Sequence, residues 1–186
     1  MSDSRTIRIL GIDPGLSKMG WGIVDVDGHD LSLVEFGSLK TSTDLPHSQR
    51  LLEIHQEIKR AISMHSPDIA AVEDVFYGKN ARSALLAGEG RAVCILACSL
   101  VQLSVVELSA SAVKQGVTGS GRASKQQVQA MVQRILGLDE APRPADAADA
   151  LAVAIVMAQR NRSRLVFSQD GTGGDSSGPR LDSRPE

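Results

Sequence analysis

The run Ile7-Arg8-Ile9-Leu10-Gly11-Ile12-Asp13-Pro14-Gly15 ends an apolar strand in a carboxylate. Ile7, Ile9, Leu10 and Ile12 favour extended backbone, and Pro14-Gly15 stops it. A carboxylate at the tip of a buried strand costs several kcal/mol unless a cation, a hydrogen-bond donor or water meets it. Two readings stand at this point. Asp13 either opens a tight Asp-Pro-Gly turn or serves chemistry, and the rest of the chain has to decide.

The pattern downstream is that of an α/β chain. Gly20–Val26 reads as a second strand, and Asp27-Gly28 turns it into a third over 31–39, which gives an antiparallel meander. Ser48–Met64 keeps an apolar face at helical period through Leu51, Ile54, Ile58 and Ile62. A short strand, Ile69–Glu73, follows and again ends in a carboxylate, with Asp74 next. A long helix is predicted over 81–103, then a strand over 104–108. Gly88 and Gly90 lie inside that helix, each at about 1 kcal/mol against alanine, so another backbone is expected close by, a partner helix being one candidate. Lys114–Arg122 reads as a basic, glycine-rich loop, expected to be mobile; Ser124 and Gln127 read as a capping box opening a helix to Leu136. Asp146-Ala147-Ala148-Asp149 opens an apolar helix through Ala158. The expected organisation is one domain over residues 1–160 and a disordered tail over 161–186.

A strand–helix–strand crossover sets the fourth strand parallel to the first. If they are neighbours, Asp13 and Glu73 lie side by side at their carboxyl ends, where ligands of open α/β sheets bind. Alternation points Asp74 to the other face. Asp146 and Asp149, three apart, share one helix face, though an N-cap and a first-turn acid would give the same pattern. Four such acids in one place repel one another unless a cation intervenes, and hard oxygen ligands suit Mg²⁺ or Mn²⁺. Two such ions would activate a water and stabilise a leaving oxygen in phosphoryl transfer.

Charge fits that chemistry. The chain carries −2 overall, but residues 78–138 hold seven basic and two acidic side chains, leaving the remainder at −7. The basic stretch includes Lys79, Lys114, Arg122 and Lys125 and is a candidate phosphate-binding surface. No apolar run is long enough to span a membrane, and Met1–Arg5 lacks a signal core, so a cytoplasmic protein is expected. Cys94 and Cys98 lack further ligands at metal-site spacing and read as buried small apolar residues.

Taken in order, these motifs resemble the RuvC family of bacterial Holliday-junction resolvases, from about Ile7 to Arg160. They are Gly11–Gly15, Glu73 with Val75-Phe76, Lys79-Asn80-Ala81, Ser83-Ala84-Leu85, Val113-Lys114-Gln115, Lys125 with Gln127–Gln129, and Ala145–Leu151. The resemblance implies an RNase H-like fold: a five-stranded mixed sheet, a three-strand antiparallel meander plus two crossover strands, flanked by helices. It implies a homodimer that resolves four-way DNA junctions in recombination and repair by paired, Mg²⁺-dependent nicks. Asp13, Glu73, Asp146 and Asp149 would be the catalytic, metal-holding acids, with two ions per site. Phe76, Lys79, Lys114, Arg122 and Lys125 would contact DNA, Phe76 lying against junction bases. RuvA and RuvB are the implied partners. The helix over 81–103, rich in small residues, is the candidate dimer interface. Gly-Ile-Asp-Pro-Gly is also similar to the first phosphate loop of actin-like sugar and acetate kinases, but 186 residues leave no room for their second half. A non-catalytic junction scaffold would be marked by loss of an acid, and all four positions are acidic.

Overall fold

The computed structural model describes residues 6–74 and 81–169. Three strands, β1 (Ile7–Asp13), β2 (Lys18–Asp27) and β3 (Asp30–Lys40), form the expected meander. Helix α1 (His47–His65) leads to β4 (Ile69–Asp74), and α2 (Ala81–Ser99) leads to β5 (Val105–Ser109). Then come α3 (Ala110–Thr118), α4 (Lys125–Ile135) and α5 (Ala145–Gln169). The sheet order is β3-β2-β1-β4-β5. β4 runs parallel to β1, with Ile12 opposite Val72, and β5 runs parallel to β4. Asp13 and Glu73 are therefore the next residues along two adjacent parallel strands.

Strand alternation divides the core in two. Ile9 and Ala71 face α3, α4 and α5, in a cluster with Val113, Val128 and Leu151. Leu10, Ile12, Ala70 and Val72 face the opposite side, with Ile54 and Ile58 of α1 and Cys94 and Cys98 of α2. Both cysteines are free and buried, and burial pushes their thiols up to about 12 and about 11, which leaves them inert.

Helix α5 is apolar all round from Ala150 to Ala158, as a helix laid on the middle of a sheet must be. It lies unusually close. A Cβ at Gly11 would overlap the Ala150 carbonyl oxygen and the Ala154 amide nitrogen, and one at Gly20 would overlap the Asp146 carbonyl. Side-chain-free positions on β1 and β2 thus seat the first turns of α5 against the end of β1.

Three boundaries differ from expectation. Helix α2 stops at Ser99, where Gln102 adopts φ 58 and the chain turns into β5. The basic loop expected over 114–122 is mostly helix. Lys114 lies on α3, whose N-cap is Ser109, and the turn that follows is short. Gln115 pins that turn, donating from Nε2 to the Gly119 carbonyl (2.8 Å) and accepting at Oε1 from the Gly121 amide (2.9 Å). Helix α5 runs to Gln169, past the expected end at Ala158, in a stretch free of Gly and Pro until Gly171. The capping box at Ser124 and Gln127 is present as read.

A methyl group at Gly11 has nowhere to go except into the α5 backbone. Gly11→Ala should destabilise the fold by about 1–3 kcal/mol or more in chemical denaturation. An unchanged denaturation midpoint would mean that α5 is not held this close.

Candidate active site

Three elements deliver acids to one end of the sheet. β1 ends in Asp13, its neighbour β4 carries Glu73, and the first turns of α5 carry Asp146 and Asp149. One carboxylate oxygen each from Asp13, Asp146 and Asp149 lie within 4.8 Å of one another. Glu73 stands outside that trio but lines the same open cavity of about 180 Å³, together with Asp13, Asp149, Lys114 and Lys125. Val113, Val128 and Ala152 form its apolar wall. Asp13 and Asp149 belong to both groups and are the centre of the arrangement.

Electrostatics follow from that crowding. Burial, then the charges of Glu73 and Asp149, push the Asp13 carboxyl up to about 8; Lys125 pulls it down, and Asp146 adds the smallest push. Burial, then Asp149, push Glu73 up to about 7, with Lys125 and Lys114 pulling it down. At neutral pH and without a cation, the two strand-end acids hold protons for much of the time. Lys125 Nζ donates to Asp149 Oδ2 at 2.7 Å, and that bond raises the lysine above its ordinary range. The ion pair ties the N-terminus of α4 to the first turns of α5.

The donor set fits a hard divalent cation. Every oxygen in the trio comes from a carboxylate, and neither histidine nor cysteine takes part in it. Like-charged oxygens this close gain most when a dication separates them, and oxygen-only sites favour Mg²⁺, Mn²⁺ or Ca²⁺ over zinc.

The other residues singled out from the sequence fall as follows. Lys114 lines the cavity from α3, and Lys125 reaches it from the first residue of α4. Arg122 is exposed on the turn between α3 and α4 and is not among the cavity walls. Phe76 and Lys79 lie outside the described residues. Asp74 points away from the acids, as alternation requires, and lies 3.5 Å from Arg91 on α2. The sequence reading missed the Lys125–Asp149 pair. The two residues are 24 apart in the chain, and no local pattern couples them.

A family model described as "Crossover junction endodeoxyribonuclease RuvC" matches residues 9–157. A protein of that description from Chloroflexus aggregans is 48% identical over 149 residues, covering 80% of this chain and 91% of its own. One from Caldicellulosiruptor saccharolyticus is 45% identical over 150 residues, covering 80% and 90%. Among solved structures, Thermus thermophilus RuvC in complex with a Holliday junction substrate is similar, with a TM-score of 0.80 and 34% identity over 85% of this chain and 96% of that one. The yeast mitochondrial Holliday junction resolvase Ydc2, at 12% identity and a TM-score of 0.63, shares the fold. With its described residues folded as a five-stranded RNase H-like sheet flanked by helices, this chain belongs to the RuvC family of crossover junction endodeoxyribonucleases.

Proposed function

We propose that this chain resolves Holliday junctions by metal-assisted hydrolysis of phosphodiester bonds, with Asp13, Glu73, Asp146 and Asp149 as its catalytic acids. The observation that carries the reading is the convergence of Asp13, Asp146 and Asp149 to within 4.8 Å from β1 and α5, with Glu73 lining a cavity that Asp13 and Asp149 also line. Those four side chains would hold Mg²⁺, with Mn²⁺ able to substitute and two ions per site. Bound there, the ions would supply an activated water and stabilise the leaving oxygen of an in-line displacement.

The chain's own groups do the rest. Lys114 and Lys125 place positive charge on the rim, where a scissile phosphate must pass the acids, and Arg122 extends that charge along the α3–α4 turn. Val113, Val128 and Ala152 keep one wall of the cavity apolar, which strengthens each charge interaction inside it. Lys125 compensates Asp149 before substrate arrives and is free to trade that carboxylate for a phosphate afterwards. Phe76 and Lys79 are kept as DNA contacts on the strength of the family motif.

Paired nicks on strands of like polarity need two sites related by a two-fold axis, so a homodimer is part of the proposal. Leu85, Leu96 and Leu100 are exposed on and just after α2, at spacings that place them along one helical side. That side is the proposed contact with a second copy. RuvA and RuvB as partners and a cytoplasmic location rest on family resemblance. Among the described residues, no helix is long and apolar enough to cross a membrane.

Asp13→Asn keeps shape and removes charge. It should slow nicking of a synthetic four-way junction by more than about a hundred-fold, beyond the cost of losing a mere supporting group, while junction binding persists. Cutting at the wild-type rate in Mg²⁺ would remove Asp13 from the chemistry.

The raised acids also set a pH dependence. Asp13 and Glu73 bind protons more tightly folded than unfolded, so their contribution to stability is fully present below the ordinary carboxylate range. It is lost as pH rises through about 7 and about 8. The unfolding midpoint of metal-free protein should therefore fall between roughly pH 5 and pH 9, and excess Mg²⁺ should raise it most at the alkaline end, where protons no longer compete. A metal-induced shift that is the same at both ends would contradict the crowded-acid account.

A further inference from the structure

Behind the sheet, on the face opposite α5, one turn of α2 touches the carriers of both strand-end acids. A Cβ at Gly90 would lie 2.8 Å from the Gly15 carbonyl carbon and 2.9 Å from the Leu16 amide nitrogen. Gly15 and Leu16 form the turn that leaves Asp13. Side chains also hold that turn. Thr41 Oγ1 donates to the Leu16 carbonyl at 2.7 Å, and Arg50 on α1 donates to Thr41 Oγ1 (2.9 Å) and Ser17 Oγ (3.0 Å). Those bonds fix the turn on which α2 rests. The next residue, Arg91, pairs with Glu107 on β5 and lies 3.5 Å from Asp74, the residue after Glu73. The Arg91 side chain is mostly enclosed, and its Nε is buried without a hydrogen-bond partner among the described residues.

We propose that Gly90 and Arg91 are positioning residues that fix the exits of β1 and β4, and with them the spacing of Asp13 and Glu73, for a shared divalent cation. The Asp74 and Glu107 side chains are more than half exposed, so the ion pairs add little to global stability. Their value lies in direction. They fasten β4 and β5 to α2 at the point where the strand releases Glu73 into the cavity. Gly90 does the same for β1 by letting α2 rest on the backbone after Asp13. The two contacts come from adjacent residues, so a small shift of α2 moves both acids together. The same helix carries the side proposed to meet a second copy. The inference rests on the reading of Asp13 and Glu73 as cation ligands.

The test is calorimetric titration of the full-length protein with Mn²⁺, alongside the Mn²⁺ dependence of junction nicking, on variants of wild-type oligomeric size. Arg91→Gln and Gly90→Ala should each weaken Mn²⁺ binding about ten-fold or more, as losing support behind metal ligands does. The half-saturating Mn²⁺ for nicking should rise in parallel, while KM for junction DNA at saturating metal stays unchanged. Arg91→Lys, which keeps the cation, should recover most of the loss. Should Arg91→Gln fail to fold, Glu107→Gln removes the partner instead and should weaken Mn²⁺ binding in the same direction. Variants that lose thermal stability yet bind Mn²⁺ like wild type would overturn the inference, leaving these residues purely structural. Wild-type protein that takes up no Mn²⁺ would instead bring down the acid-site reading itself.

Discussion

Mutual repulsion among carboxylates is the constraint around which this fold is built. Asp13 sits at the end of a central strand with Asp146 and Asp149 close enough to share an ion and Glu73 on the neighbouring strand. Without compensation, four negative charges in a half-buried pocket would push β1, β4 and α5 apart. The structure compensates in two ways that need no metal. Burial and crowding push the Asp13 and Glu73 carboxyls up into the neutral range, where they can keep protons, and Lys125 is bonded to Asp149. Both are exchangeable. A dication can displace the protons, and a phosphate can compete for the lysine.

The scaffold supplies the force that keeps the acids together. Gly11 and Gly20 let α5 settle onto β1 and β2 at backbone contact, and the alanines around Ala147–Ala158 fill the interface without pushing it open. On the far side of the sheet, α1 and α2 bury Leu10, Ile12, Ala70 and Val72. The strands are thus clamped from both faces, and only their carboxyl ends are open to the cavity. A packed interior of this kind resists small displacements, so acids mounted on it keep their spacing when charge is added or removed.

Much of this was legible in the sequence. The apolar run to Asp13 and the one to Glu73 are strands with the expected order and direction, because a crossover helix leaves parallel pairing as the natural outcome. The i, i+3 pair Asp146 and Asp149 does project from one helix toward β1. The glycines were harder to read. Gly116 suggested a loop, yet it lies within α3, where a Cβ would press on Val156 of α5 at 2.7 Å. It is there for close helix packing, not for a turn. Gly90 does meet another backbone, but that backbone is the turn after Asp13 rather than a partner helix, and Gly88 has no described neighbour within 4 Å. Glycine marks closeness without saying to what. The Lys125–Asp149 and Arg91–Asp74 contacts join residues far apart in the chain, and no local periodicity encodes them.

The most direct measurement is anomalous diffraction from crystals grown with Mn²⁺. Strong density between Asp13 and Asp149, with Asp146 or Glu73 completing its oxygen ligands and Lys125 released from Asp149, is the predicted result. Crystals saturated with Mn²⁺ that show no ion among these side chains, with the protein still nicking four-way junctions, would contradict it.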